Sequence, residues 1–273
     1  MHSTVGTPST AIDRALSILE ATAERAGGLT NAEISRRLGV PKSSASYILR
    51  RLERRGYLRR DAETGKYRPG LKVLSLGRQV LSGLDIRSAA LPVLRLLVER
   101  TELTAHLAVL DHGEAVYVEK VDAPGFIKMD TWVGRRMCLH STGVGKALVA
   151  QLSRGEIEML AHAHPLTRRT PNTITSLHRL LGELERVRER GYAVDDEENN
   201  RGARCVAAPV LDGLGRVAAA VGLSGTTGQI DETSLPRLAV LVTECARRIG
   251  RQLGGPPRGI EPSHRGRVPP LRA

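Results

Sequence analysis

The chain has 273 residues, 41% of them hydrophobic, with three cysteines and a formal net charge of +12 at pH 7. That length holds two domains, each with its own core. No apolar run approaches the roughly 18 residues of a membrane span, and the start MHSTVGTPST lacks the cationic and apolar regions of a secretion signal.

A cytoplasmic protein with no membrane partner is therefore expected. Cys138, Cys205 and Cys245 are odd in number and far apart, which gives neither a disulfide framework nor a zinc pattern. The charge is uneven: residues 1–70 hold 13 Lys/Arg against 7 Asp/Glu, residues 71–253 hold 24 against 21, and the last 20 hold 4 against 1. A basic excess gathered on one end is what a nucleic-acid partner requires.

In chain order, residues 1–9 read as a disordered N-terminus. Thr10 to Ala26 is a helix with Ala11, Ala15, Leu16, Ile18, Leu19 and Ala23 on its buried side, ended by Gly27-Gly28. Thr30 and Glu33 form a capping box that opens a second helix, stopped by Gly39. Pro41 suits the first turn of a third helix, in which Ala45, Ile48, Leu49 and Leu52 make one buried stripe. The opposite face is Ser43, Tyr47, Arg50 and Arg54, flanked by Lys42, Ser44, Ser46 and Arg51. Short hydroxyls near a helix start, an amphipathic Tyr and then arginines suit a helix laid in a DNA major groove. A solvated basic face is the plainer reading of such a helix taken alone. Tyr57 to Arg60, a polar turn over Asp61–Gly65, and Lys66 to Arg68 then make a basic hairpin, with Arg59, Arg60, Lys66 and Arg68 as its cations. Helix, turn, helix and hairpin together predict a winged helix-turn-helix over residues 10–70.

Residues 71–89 predict a linker helix, with more apolar residues between Leu71 and Leu81 than a surface helix needs, suited to packing against a second copy of the chain or against its own domains. Asp85 to Arg100 continues as helix, with Pro92 breaking or kinking it. From 90 to 253 the period changes: strands at Thr104–Leu110 and Ala115–Val121 flank an Asp111-His112-Gly113 turn, and Phe126–Thr131 reads as a third strand. Helices are expected at Thr142–Leu152, Glu156–Ala163 and Ser176–Arg190, strands at Tyr192–Asp195, Val206–Leu211 and Val217–Leu223, and a closing helix at Asp231–Leu253. Without regular βαβ alternation this is an α+β fold with a mainly antiparallel sheet. Residues 254–273, rich in Pro, Gly and Arg, read as a disordered basic tail.

Leu139 to Ala147 (LHSTGVGKA) lacks the first glycine and the Ser/Thr of a phosphate-binding loop; what remains is a turn opening a helix whose free amides can hold a carboxylate. Asp195 to Gly202 is a polar loop read as solvated. Cys205 has no nucleophile signature around it, His140 being its one plausible partner, and Cys138 with His140 falls short of a metal site. No metal, cofactor or catalytic residue is expected.

Over roughly residues 10–253 the chain resembles the isocitrate-lyase-regulator (IclR) family of transcriptional regulators. The resemblance is carried by GVPKSSASYILRRLERRGYL, TAHLAVLDHGEAVYVEKV, LHSTGVGKALVAQL and RGYAVDDEENNRGARCVAAPVLDGLGRVAAAVGLSG. It implies a winged-helix reader of double-stranded operator DNA, a dimerising linker helix, a GAF/profilin-like domain that binds a small carboxylate or related effector, and a homodimer or tetramer. The family's effector positions fall on Gly143, Val144, Asp195, Cys205, Gly222 and Ser224, with Leu139, Met129 and Trp132 as apolar walls. Gly222 departs from the side chain often found there and is expected to enlarge the cavity. The reading is a ligand-responsive regulator, a repressor, with no enzymatic activity. Two rivals stand beside it: a cysteine-dependent hydrolase with a DNA-binding appendage, and a ligand-independent architectural DNA-binding protein.

Overall fold

The computed structural model describes residues 10–126 and 128–254; the expected tail at 1–9, and that at 254–273 apart from Gly254, lie outside them. The chain divides at Gly83/Leu84 into two compact units, so the expected 71–89 linker is a helix of the first unit followed by the opening turn of another.

In the first unit, Thr10 caps helix α1 (Ala11–Ala23) and Thr30 caps α2 (Asn31–Leu38), each through a full capping box. Helix α1 stops at Glu24, ahead of the two glycines, and its buried side is Ile18, Ala21 and Thr22, while Leu16 remains 53% exposed. Gly39, with φ 63°, closes α2 in the left-handed conformation that an unbranched Cα tolerates. Pro41 stands just ahead of α3 (Lys42–Arg54), at its cap and not in its first turn. Ile18, Ile34, Ala45, Ile48 and Leu49 meet in one core with Leu58 and Tyr67 of the hairpin. Strands β1 (Leu58–Arg60) and β2 (Tyr67–Pro69) pair antiparallel, and Tyr67 also exchanges backbone bonds with Leu29. Helix α4 (Leu71–Ser82) buries none of its residues, and Leu71, Val73, Leu74, Leu76 and Val80 are exposed.

The second unit opens with α5 (Asp85–Thr101), which runs through Pro92 without a break. Strands β3 (Thr104–Asp111) and β4 (Glu114–Val121) are joined by a two-residue turn, His112-Gly113, both at positive φ, as a tight hairpin demands. Among the described residues of 126–131 no strand forms; the sheet's edge beside β4 is the two-residue β5 (Arg136–Met137). Helices α6 (Gly143–Val149), α7 (Arg154–Ala163) and α8 (Leu177–Arg190) follow. Strands β6 (Ala193–Asp196), β7 (Ala203–Leu211) and β8 (Val217–Thr226) and helix α9 (Leu235–Gln252) complete the unit. The sheet order is β5-β4-β3-β8-β7-β6, antiparallel throughout.

Alternation along these strands assigns the two faces. Ala105, Leu107, Val206, Leu223 and their same-face neighbours turn toward α5 and α9. The other face is built from small residues (Ala108, Ala115, Ala193, Ala207, Ala220), which pack with Val144, Ala147 and Leu148 of α6 and Leu180, Leu184 and Val187 of α8. Small side chains let α6 come close to the sheet. At Gly145 the helix folds back on the segment that leads into it: a Cβ there would stand 2.6 Å from the Cα of Leu139.

Candidate functional site

On α3 the structure leaves Lys42, Ser43, Tyr47, Arg50, Arg51 and Arg54 exposed, with Ser44 and Ser46 half-buried at the edge of that face. Arg51 is not a free fork: it donates to the Tyr47 hydroxyl at 2.7 and 3.1 Å and stacks over that ring at 5.2 Å. In the wing, Arg59 and Arg60 are exposed, Arg60 lying 5.7 Å over the Tyr67 ring. Lys66 and Arg68 are half-buried. Arg68 packs its stem against Gly28, and its Nε is buried. The face thus offers Arg50, Arg54 and Arg59 as its extended cations, with hydroxyls at the helix start.

In the second unit, four strands bring polar side chains into one row on the α6 face. Asp195 of β6 pairs with Cys205 of β7, Cys205 with Ser224 of β8, and Ser224 with Thr104 of β3, with His106 two residues further on. Cys205 Sγ donates to Ser224 Oγ at 3.1 Å, and Ser224 Oγ lies 3.4 Å from His106 Nδ1. His106 Nε2 is 2.8 Å from Thr131 Oγ1, and the imidazole stacks on Tyr117 with centroids 4.5 Å apart. Buried polar groups cost free energy unless they are hydrogen-bonded, and these are bonded to one another along the row, which makes it the candidate site of this unit.

Burial sets the charge states along it. It pushes His106 down to about 3, so the ring is neutral. It pushes the Cys205 thiol and the Tyr117 phenol up. Asp195 is lifted to about 7, first by desolvation and then by Glu198 beside it. A thiol held protonated is a poor nucleophile. His140 bonds the Thr167 carbonyl at 3.1 Å, so the pair a cysteine hydrolase would need is not assembled.

Helix α6 sits over the row. Thr142 Oγ1 accepts from Gly145 N at 3.1 Å, leaving the Gly143 and Val144 amides outside the helix's own ladder. A Cβ on Gly143 would lie 3.6 Å from that of Cys205, and one on Gly222 only 2.7 Å from Val144 Cγ1. This corrects one expectation: the missing side chain at Gly222 does not enlarge a cavity, because a Val144 methyl fills the space. Gly143 and Asp195 both flank Cys205. At the other end of the row stand His106 and Tyr117, which the sequence reading did not name.

Of the expected walls, Met129 is half-buried on the segment between β4 and β5, and Trp132 is 55% exposed beneath Arg135, whose guanidinium is 4.6 Å from its ring. Leu139 instead lines a separate apolar cavity with Cys138, His140, Leu160, His164 and Leu180.

The loop after Asp195, expected in solvent, is buried at Glu198 and Asn199. Thr170 and Thr173 hold it by donating to the Glu197 carbonyl at 2.6 Å and the Glu198 carbonyl at 2.7 Å. Under it Lys146 of α6, with 0% exposure, is bonded to Glu198, and Glu183 of α8 stands 4.0 Å away. Among the described residues no group of three His, Cys, Asp or Glu is placed to hold a metal, and no helix is long and apolar enough to cross a membrane.

A winged helix-turn-helix with a basic outer face, in one chain with a sheet domain that buries a polar row, defines a DNA-binding transcriptional regulator. Residues 11–62 match the IclR helix-turn-helix domain and residues 78–251 the family described as Bacterial transcriptional regulator IclR C-terminal. The chain is 38% identical over 245 residues to the HTH-type transcriptional regulator XynR of Escherichia coli, covering 90% of this chain and 97% of that one. It is 30% identical over 246 residues to the transcriptional repressor IclR of the same organism, covering 89% and 90%. The crystal structure of the Thermotoga maritima IclR superimposes with a TM-score of 0.73 at 34% identity, over 89% of this chain and 98% of that one. The chain belongs to the IclR family of transcriptional regulators, a regulatory and not an enzymatic family.

Proposed function

We propose that this protein is a cytoplasmic repressor that reads operator DNA as a dimer or tetramer and answers to a small organic acid. The observation that carries the acid-sensing part is the buried row from Asp195 through Cys205 and Ser224 to His106, lying under the free amides of Gly143 and Val144. An acid seated there would set its carboxylate toward those amides and a hydroxyl or carbonyl toward His106 and Tyr117. Binding would favour one of two arrangements that fit DNA differently, which is all that regulation requires.

The exposed apolar residues of α4 support self-association, because five such side chains on one helix are a patch that a second copy would cover. Leu76→Asp should therefore give monomers in sedimentation with much weaker operator binding, one half-site holding less than two tethered ones. A monomeric parent protein that binds operator tightly would remove this part of the reading.

The acid-sensing part is tested by a thermal-shift screen with small organic acids, repeated with operator DNA present. Ser224→Ala should abolish the shift by a binding acid and leave ligand-free operator affinity nearly unchanged. An unaltered response in that variant would place the effector elsewhere.

A further inference from the structure

Asp195 raises a question of charge that the site must answer. Its side chain is 3% exposed, and its Oδ1 accepts from the Glu198 and Asn199 amides at 2.8 and 3.2 Å. Among the described residues it makes no ion pair. The groups that face it are Cys205 from β7, Tyr117 from β4, Lys146 from α6 and Glu198 from its own following loop. Behind Glu198 stands Glu183 of α8, already bonded to Arg186 and Arg190. Arg169 lies at the loop's outer side, bonded to the Asn199 carbonyl, and Asp196 turns outward to Arg204. Lys146 is committed to Glu198.

An acid lying on Cys205 and Ser224 therefore brings a second carboxylate beside Asp195, with no cation left for it. Two carboxylates sharing a buried site do not both stay ionised. Resting on the reading of this row as the effector site, we propose that the regulator takes up its acid together with one solvent proton, held on the Asp195 carboxyl, so that effector binding strengthens as pH falls. The carboxyl of the free protein, poised near neutrality, makes this exchange accessible under ordinary conditions.

The test is calorimetric titration of the full chain, somewhat above neutral pH, in two buffers of different ionisation enthalpy. The probes are acetate, glycolate, pyruvate and succinate: a bare acid, a hydroxy acid, an oxo acid and a diacid. A binding acid should take up about one proton, and its affinity should fall about tenfold per pH unit above the Asp195 midpoint. Asp195→Asn keeps the acceptor for both amides and should bind with no uptake and a flat pH profile, whereas Glu198→Gln, which frees Lys146 to face Asp195, should reduce the uptake. Binding without uptake, or uptake that survives Asp195→Asn, overturns the proposal and leaves the effector site standing. If none of the four acids binds, by heat or by thermal shift, the small-acid reading and the proposal fall together.

Discussion

Replacing Gly222 by Ala adds one methyl to the sheet where α6 comes down on it. That carbon would stand 2.7 Å from Val144 Cγ1 and 3.5 Å from Ala207 Cβ. Carbon atoms settle at about 3.5–4.0 Å, so roughly an ångström must be found against Val144. The side chain cannot swing into solvent, because Val144 is 5% exposed and every residue of α6 is buried. Adding a group of this size to a filled core costs about 1–3 kcal/mol. For a domain of this size that lowers Tm by about 2–12 °C. Val144→Ala removes the obstructing methyls and by itself loses burial worth about 1.6 kcal/mol. The two together should be less destabilising than their sum, with a coupling of about 1–2 kcal/mol, measured by urea unfolding of all four proteins. A neutral Gly222→Ala, or strictly additive variants, would show that α6 does not rest on Gly222 and that this part of the pocket is open.

Arg50→Ala should weaken operator binding by about 1–3 kcal/mol in a fluorescence-anisotropy titration, and Arg59→Ala should lower the salt slope by about one unit; unchanged values would move the reading face off α3 or the wing. Lys146→Met leaves Glu198 in the interior without its cation and should cost about 3–5 kcal/mol, part of which Glu198→Gln restores; equal stability of the single and double variants would deny the pairing. Two groups in the row oppose each other in pH dependence. The Asp195 carboxyl, raised from 3.8 to about 7, gives stability present below pH 4 and lost as pH rises to 7, a swing on the order of 4 kcal/mol at most. His106, lowered from 6.5 to about 3, gives stability present above 6.5 and lost as pH falls to 3. Asp195→Asn should therefore expose a stability that climbs with pH, and His106→Asn one that declines, in denaturant titrations across that range; parallel profiles in the two variants would sink the assignment.

The parts of this fold that could be read from the sequence are those specified within a few residues. Thr10–Asp13, Thr30–Glu33 and Ser153–Glu156 each close a capping box, of which the sequence reading named Thr30–Glu33. Gly39 and Gly191 stop their helices in the left-handed conformation, and the His112-Gly113 hairpin is local as well. What failed was specified from afar. Phe126–Thr131 alternates like a strand, yet the carbonyls of Met129 and Thr131 accept from the Lys120 ammonium at 3.0 and 2.8 Å, and no periodicity announces a side chain that replaces a ladder. The loop after Asp195 looks solvated because its acids are visible and the hydroxyls of Thr170 and Thr173 that bury it come from a distant segment.

The same reasoning explains why the site itself was only half legible. Gly143, Val144, Cys205, Asp195 and Ser224 came from a family pattern; the strand register sets Asp195, Cys205 and Ser224 side by side, and α6 lays Gly143 against Cys205. His106 and Tyr117 were hidden in apolar strands, where a histidine between alanine and leucine carries no local mark of its role. Their importance follows from pairing alone: His106 stands opposite Gly222, beside the space that Val144 fills, so the floor of the site is as much a product of the one missing side chain as of the polar ones. Lys146 makes the complementary point. A helix in which all seven residues are buried can carry a lysine only if an acid is delivered to it, and the chain delivers Glu198 on the loop that follows β6, the strand whose Asp195 lines the row. The cation that anchors α6 and the Asp195 carboxyl thus belong to one buried charge system, so on the proposed reading a change of charge in the row would be felt at the helix that covers it.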